Sequence, residues 1–386
     1  MSIPKKILII ENLCVESSRR SIYRKLAERK EFQVHLLVPK VWKEAGYPIK
    51  CEEETNSSLI LHKSGFIMGY RAHRVLYTNI IHILLKVKPD IIFMDSEPES
   101  YASLQVQILK NILAPKAKTV VMSWRNIDYP SNIYPYKFPK LNGFVERKVL
   151  AKMDHCVAHN ETAKKIFNKK GVNDITIIPP AIDLNVFHKI DSSTVKDEFN
   201  LKSFTIGFVG RFIPEKGIDT LLYAVKDLPF DYKILLVGNG KAKQSWLQIT
   251  NELGINDRII WNYSVPHAEI PKLLNAIDLI VLPSYASSHW KEQFGRILIE
   301  AMACEVPVIG SNSGEIPWVI GDAGLIFEEQ NVGDLKNKIQ MIYQNKILRQ
   351  VLIKKGLERV KSKFSVEVVS EQYYKLFSDL LKERKA

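Results

Sequence analysis

The chain has few cysteines and no long apolar run. These two features limit the classes of protein to which it can belong. Its 386 residues include four cysteines, which are widely scattered and form no CxxC pair. A zinc site and a disulfide framework are therefore disfavoured, and we expect reduced, buried thiols. No window reaches the roughly 18 consecutive apolar residues that a membrane-spanning helix needs. The opening MSIPKKILIIENLCVE has too short an apolar run for a signal sequence and predicts a buried strand in a cytoplasmic protein.

Acidic residues are scarce in the first half. Residues 1–185 contain 29 Lys and Arg against 18 Asp and Glu, whereas residues 186–386 contain 26 against 24. The first half therefore has a net charge of +11 out of the total of +13. This asymmetry indicates either a solvated basic surface or an anionic partner, such as a lipid surface, a phosphorylated acceptor or nucleic acid. Nucleic acid is disfavoured, because no helix-turn-helix, RNA-binding or zinc-finger signature accompanies the charge.

Length and strand pattern predict two α/β domains. A chain of 386 residues is too long for one comfortable core. Short apolar runs such as KILIIE, KTVVMS, FTIGFVG and DLIVLP alternate with helical patterns, as parallel sheets covered on both faces require. We expect two doubly wound, Rossmann-like domains at 1–185 and 186–364. The proline-rich, polar stretch 178–203 predicts the linker, and a terminal helix at 365–386 is expected to return to the first domain.

The stretch GFVGRFIPEKG indicates an anion site. Strand 204–209 ends at Gly210, and Arg211 and Lys216 follow on a loop that leads into a helix. A glycine at the strand end lets the backbone approach a ligand, and two cations beside a helix N-terminus suit a diphosphate. The alternative is that both cations are simply solvated.

A second junction, DLIVLPSYASSHWKEQFGRILIEAMA, places Glu292 just before a helix and Glu300 within its first turns. A carboxylate accepts two hydrogen bonds from neighbouring hydroxyls, so one of them suits a hexose and the other a ribose. The phosphates that link those sugars would meet the amides near Phe294 and Gly295 and the positive end of the helix dipole.

These motifs, with LLVGNG and the run CEVPVIGSNSGEIPWVIGDAGLIF, resemble the group 1 (family four) retaining glycosyltransferases of the GT-B fold. The resemblance covers nearly all of the second half. It implies two domains that face a cleft, and a terminal helix that crosses back to the first. It also implies that Arg211 and Lys216 neutralise the donor diphosphate and that Glu300 binds the ribose. Glu292 would contact the donor sugar, together with the backbone of Phe294, Gly295, Arg296 and Ile297.

The first half departs from that family. The segment IENLCVESSRR lacks the glycine pair that many relatives carry after the first strand, and Trp124 stands where many have a histidine. We expect Arg125 and Asn126 to lie on the acceptor side, ahead of His155 and His159, which fit structural roles. Asp95 and Glu97 follow a strand end and could face the cleft, but solvated loop acids are the favoured interpretation.

The predicted function is transfer of a sugar from a nucleoside diphosphate sugar to a glycan or lipid-linked acceptor with retention, in cell-surface polysaccharide or glycolipid synthesis. No DxD-like acid pair suggests a metal, so no cofactor is expected to be required. Two alternatives stay open: a nucleotide-sugar epimerase or hydrolase of the same fold, and a non-catalytic scaffold that binds membrane or partner proteins. A dinucleotide dehydrogenase is disfavoured, because VGNGKAK lacks the third glycine.

The basic first half also predicts peripheral docking on the anionic inner face of the membrane. The stretch KSGFIMGYRAHRVLYTNIIHILLKVK, between Lys63 and Lys88, combines apolar and basic residues. The alternative is that its apolar residues pack in the domain core: Ile67, Leu76, Ile80, Ile83 and Leu84.

Overall fold

The computed structural model describes residues 3–44, 47–55, 57–130, 134–263 and 265–382. The chain divides into two compact units. The first combines Met1–Ala181 with Val366–Ala386, and the second is Ile182–Ser365. The first unit therefore contains both ends of the described chain.

The first unit contains a seven-stranded parallel sheet. Its order is β11-β10-β9-β8-β1-β2-β5. The strands are β1 (Lys5–Ile10), β2 (Phe32–Pro39), β3 (Val41–Glu44), β4 (Tyr47–Lys50), β5 (Ile60–Ser64), β6 (Phe66–Ile67), β7 (Leu76–Tyr77), β8 (Ile91–Met94), β9 (Lys118–Ser123), β10 (His155–Ala158) and β11 (Ile175–Ile177). β3 pairs with β4 and β6 with β7 as antiparallel ribbons. The central strands are buried apolar runs, as helices on both faces require.

Within its described residues, the first unit contains six α-helices. They are α1 (Ser21–Ala27), α2 (Ile80–Val87), α3 (Tyr101–Leu113), α4 (Pro139–Leu150), α5 (Glu161–Lys169) and the last helix of the chain, α14 (Val366–Lys382). α14 packs beside α1 and places the rings of Tyr373 and Phe377 against Phe93 of β8. The terminal residues thus complete the core of the first unit.

The second unit contains a six-stranded parallel sheet of order β14-β13-β12-β15-β16-β17. The strands are β12 (Phe204–Val209), β13 (Tyr232–Val237), β14 (Ile259–Asn262), β15 (Leu279–Leu282), β16 (Val308–Ser311) and β17 (Leu325–Phe327). The helices are α6 (Ser193–Glu198), α7 (Ile218–Val225), α8 (Lys243–Glu252), α9 (Ile270–Asn275), α10 (Arg296–Ala303), α11 (Ile316–Ile320), α12 (Val332–Gln344) and α13 (Lys346–Arg359). The doubly wound parallel architecture predicted for both halves is confirmed.

The segment predicted as the linker, 178–203, is largely irregular but is packed in part against the second unit. It contains α6, and Phe187 is buried. The Asn275 side chain accepts from the backbone N–H of Ile190 and donates to the carbonyl of His188. Polar, proline-rich composition hid this packing, because the anchoring amide comes from a distant part of the sequence.

The stretch between Lys63 and Lys88 is divided between core and surface. Ile80, Ile83 and Leu84 are buried on the inner face of α2, as the core alternative predicts. Leu76 is half-buried in β7, whereas Ile67 of β6 is exposed. The amphipathic helix of this stretch, α2, therefore packs mainly in the core of the first unit.

Candidate functional site

The carboxyl end of β12 is shaped for close backbone approach. Gly210 donates its N–H to the carbonyl of Val237 at 2.9 Å. A Cβ added at Gly238 would lie 1.9 Å from the Gly210 carbonyl oxygen, so only glycine fits there. Arg211 follows with an exposed side chain, and it has no ion pair within the described part of the chain. Its guanidinium is available to an anion.

The loop after Arg211 is tied to the end of β15. A short 3₁₀ turn, Pro214–Lys216, precedes Gly217, which has φ +64° and caps the start of α7. A Cβ at Gly217 would lie 2.0 Å from the carbonyl oxygen of Pro283. The N–H of Tyr285 also donates to the carbonyl of Glu215 at 2.9 Å. These contacts bring Lys216 to the loop that contains Glu292.

Glu292 is a buried carboxylate with fixed partners. Its Oε2 lies 2.5 Å from Lys216 Nζ and accepts a 2.9 Å hydrogen bond from Ser284 Oγ. Its backbone carbonyl accepts from the N–H of Glu315 at 3.2 Å, and a Cβ at Gly314 would lie 2.2 Å from that oxygen. Two of the predicted donor residues are therefore in direct contact, and the loop that holds them is closely packed.

The helix that follows Glu292 begins at a constrained turn. Gly295 is the N-cap of α10 with φ +82°, a conformation that favours glycine. Phe294 is buried, and its ring packs edge-on against Trp318 and Phe364. Ile297 is also buried, so these two side chains face the core. Any contact that they make to a ligand would therefore come from their backbone.

Glu300 lies on α10 and is 6% exposed. Its Oε1 is 3.8 Å from Arg296 Nε and 3.7 Å from His267 Nε2. The His267 ring packs edge-on against Phe187. Glu300 thus combines a largely buried carboxylate with polar neighbours, which suits recognition of paired hydroxyls.

Sequence reasoning missed three residues of this site. Ser284 bonds Glu292, His267 approaches Glu300, and the Trp290 ring lies 5.3 Å from Lys216 Nζ. Ser284 and Trp290 lie in the same stretch of sequence as Glu292 and Glu300. Their contacts, however, are formed only by the tertiary structure. His267 lies in the separate segment PHAEIP, where no local pattern marks it.

In the first unit, polar side chains gather where neighbouring strands β1, β8 and β9 end. The Glu97 carboxylate accepts from Ser123 Oγ at 2.6 Å and from the Trp124 N–H at 2.7 Å. Burial, followed by the charge of Glu99, raises its pKa to about 7. Asp95 bonds to Glu11 and Trp124, and burial beside Glu11 raises the Asp95 pKa. Asp95 and Glu97 are half-buried rather than fully solvated loop acids, because both carboxylates have hydrogen-bond partners within the fold.

Arg125 and Asn126 are buried rather than open to solvent. The Arg125 guanidinium lies 2.6 Å from Glu99 Oε2 and also pairs with Glu146. It donates to Tyr134 Oη at 3.1 Å. Arg125 therefore anchors the segment after β9 through the chain's own carboxylates.

The two histidines beside β10 have internal partners. His155 Nε2 lies 2.9 Å from Thr176 Oγ1. His159 Nδ1 lies 2.6 Å from the carbonyl oxygen of Ile178, and its ring packs on Trp124. This packing agrees with the structural role expected for both.

Over the described ranges, no helix has the length and hydropathy to cross a membrane. Within the same residues, His, Cys, Asp and Glu side chains form no group of three or more that could hold a metal ion.

Comparison with known proteins finds a family match in the second half of the chain. Residues 190–359 match the family model of glycosyl transferases group 1. The chain is 29% identical over 258 residues to N-acetyl-alpha-D-glucosaminyl L-malate synthase of Bacillus anthracis, covering 64% of this chain and 65% of that protein. It is 27% identical over 209 residues to the capsular polysaccharide biosynthesis glycosyltransferase CapM of Staphylococcus aureus, covering 50% and 52%. The chain spans about half to two thirds of the length of the curated relatives it matches.

The fold is shared over nearly the whole chain. The crystal structure of Anabaena Alr3699/HepE in complex with UDP-glucose superposes with a TM-score of 0.72 at 16% identity, covering 97% of this chain and 99% of that one. This overlap confirms the GT-B type of fold predicted from the sequence.

Proposed function

We propose that this chain, whose residues 190–359 match the family model of glycosyl transferases group 1, transfers a hexose from a nucleoside diphosphate sugar to a glycan or lipid-linked acceptor with retention of configuration. The observation that carries the proposal is the Lys216–Glu292–Ser284 contact beside the start of α10. It joins a cation, a buried carboxylate and a helix N-terminus at the carboxyl edge of one parallel sheet, where such sheets bind ligands.

Each chemical group of the donor substrate has proposed binding residues in the second unit. Arg211 and Lys216 neutralise the diphosphate, with the Gly210 backbone close by. Glu292 binds hydroxyls of the sugar, and the Phe294, Gly295, Arg296 and Ile297 backbone meets the sugar and phosphate oxygens. Glu300 binds the ribose. The exposed Arg211 and the largely buried Glu300 suit these roles, because a phosphate is charged and a ribose presents two neutral hydroxyls.

The chemistry requires a stabilised leaving group. The bond between the sugar C1 and the phosphate oxygen breaks, and the acceptor oxygen bonds to C1 on the same face. The acceptor proton passes to the departing phosphate. Arg211, Lys216 and the α10 N-terminus supply fixed positive potential where negative charge develops, which lowers the barrier. This step needs no residue of the chain as a base.

On the acceptor side we propose Arg125 and Asn126, with Arg125 acting through the segment that it anchors. Glu99 and Glu146 occupy its guanidinium, so its effect on an acceptor is one of positioning. The capsular polysaccharide function in the name of CapM supports an acceptor in cell-surface glycan or glycolipid synthesis, and the basic first half supports a site at the inner membrane surface.

A screen of nucleoside diphosphates and their sugars by thermal shift tests the donor assignment, since a ligand selective for the folded state raises the Tm. UDP and UDP-glucose are the first probes, because Alr3699/HepE binds UDP-glucose. We expect Glu300→Gln to weaken binding of the selected donor by about tenfold or more. Glu358→Gln, whose carboxylate is well exposed on α13, is the matched control and should bind normally.

Product analysis then separates the proposed reaction from its alternatives. Nuclear magnetic resonance of the product should show the donor's anomeric configuration. Donor epimerised or hydrolysed without acceptor would favour an epimerase or hydrolase. Failure of every nucleoside diphosphate to bind would exclude sugar transfer and favour a scaffold.

A further inference from the structure

Three consecutive helices of the first unit expose apolar side chains, and exposed bases lie on or beside two of them, α2 and α4. α2 packs beside α3, and α3 beside α4. Seven large apolar side chains on or beside them are between 45% and 68% exposed: Ile81, Leu85, Ile108, Ile112, Phe138, Leu141 and Phe144. Single exposed apolar residues are ordinary, but a cluster on adjacent helices indicates an interaction surface. We call these seven residues and the bases among them the α2–α4 face.

The charge of the α2–α4 face is almost entirely of one sign. Residues 80–88, 101–116 and 137–152 contain nine Lys and Arg, of which Lys110 is buried, and a single acid, Glu146. Glu146 is buried and pairs with Arg125 and Lys170, so it does not offset the surface charge. Bases also flank the aromatic rings, with Lys137 Nζ 5.5 Å from the Phe138 ring centre and Lys148 Nζ 5.5 Å from that of Phe144.

The other face of the same sheet has a different character. Right-handed crossovers place α1, which connects β1 to β2, opposite α3 and α4, which lead from β8 through β9 to β10. α14 packs on α1 and contains Glu367, Glu371 and Asp379 among its bases. Apolar exposure combined with unbalanced positive charge is thus a property of the α2–α4 face.

We propose that the α2–α4 face docks on an anionic lipid bilayer, with Ile108, Ile112, Leu141 and Phe144 entering the headgroup region. Bases beside them contact lipid phosphates while the apolar side chains leave water. A second copy of the chain fits less well, because a two-fold interface would bring the same basic patch against itself. The face lies largely outside the Lys63–Lys88 stretch from which membrane docking is predicted by sequence, and it deepens the proposal of a lipid-linked acceptor.

Vesicle sedimentation with the full chain tests the proposal. The protein should pellet with vesicles of phosphatidylglycerol and phosphatidylcholine, remain free with phosphatidylcholine alone, and be released by salt. Two paired variants address the two components: Ile112→Asp with Phe144→Asp, and Lys140→Glu with Lys148→Glu. Each pair should weaken binding to anionic vesicles by about tenfold or more. Ile347→Asp with Val351→Asp, on exposed positions of α13 in the second unit, should bind as the unaltered protein does.

Thermal stabilisation by UDP, measured on every variant, shows whether the fold and the donor site are retained. Unchanged UDP binding with lost vesicle binding supports the docking face independently of sugar transfer. Docking is overturned if both pairs still bind anionic vesicles normally, if neutral vesicles bind equally well, or if neither vesicle type binds. A concentration-dependent dimer that Ile112→Asp with Phe144→Asp abolishes would assign the face to a second copy instead.

Discussion

At the residue scale, the contact between Lys216 and Glu292 explains how two charged side chains are retained in a largely buried loop. The side chains are 12% and 10% exposed, and each neutralises the other. Burying either charge alone would cost far more than the pair does, because desolvation is then uncompensated. In the proposed donor complex, phosphate and sugar groups would offer the cation and the carboxylate equivalent partners.

Replacing Lys216 separates stability from binding. Lys216→Met should lower the free energy of unfolding by about 2 kcal/mol, because Glu292 remains buried without its cation. Adding Glu292→Gln should restore most of that stability by removing the charge, yet UDP binding should stay weak. Denaturant unfolding and calorimetry with UDP measure the two effects, and Lys226→Met at an exposed position is the control. Normal UDP affinity in Lys216→Met would contradict the donor assignment.

The raised pKa of Glu97 predicts that the stability of the fold depends on pH. Its pKa rises from 4.5 to about 7 because burial and then Glu99 disfavour the carboxylate. A raised folded-state pKa means that protonation stabilises the fold; this contribution is complete below pH 4.5 and is lost as the pH rises through about 7. Glu97→Gln cannot ionise, so its Tm relative to the unaltered protein should increase between pH 5 and pH 8. A difference in Tm that stays constant over that range would show that Glu97 does not titrate there.

At the scale of elements, the proposed donor site depends on a close approach between the turn before α7 and the end of β15. Gly217→Ala should cost about 2–4 kcal/mol, combining strain at positive φ with a clash against the Pro283 carbonyl. Gly254→Ala is a matched control, since Gly254 has φ +66° with nothing within 4 Å of an added Cβ. It should cost only about 1 kcal/mol. UDP binding should weaken in Gly217→Ala alone, and equal effects in both variants would show that the close approach does not matter.

Strands with continuous apolar runs could be predicted, and strands without them could not. KTVVMS is β9 and FTIGFV is β12, as predicted. β5 was missed, because this edge strand reads ILHKS and is partly exposed. The residues of the candidate site likewise divide into those that the sequence predicts and those that it does not. Glu292 and Glu300 stand at one chain-local junction that sequence can show, whereas His267 reaches Glu300 only through tertiary packing.

At the scale of the whole molecule, the chain path makes the first unit depend on its last residues. Among the described residues, four aromatic contacts join α14 to the sheet: Phe377 with Phe32 and Phe93, Tyr373 with Phe93, and Tyr374 with Phe32. Phe377 and Tyr373 are buried. The first core is therefore incomplete until the second unit has been synthesised and α14 has returned.

This dependence predicts that a destabilising substitution in α14 also destabilises strands that are distant from it in the sequence. Phe377→Ala should destabilise the first unit by about 3–5 kcal/mol, because a large buried ring is replaced by a cavity. Hydrogen exchange should show faster opening of β1 and β8, while β12 and β13 keep their protection, since the second unit has its own core. Lys375→Ala, at an exposed position of the same helix, should leave both units unchanged. Equal loss of protection in β12 and β13 would mean that the units unfold together, and the assignment of α14 to the first core alone would then be wrong.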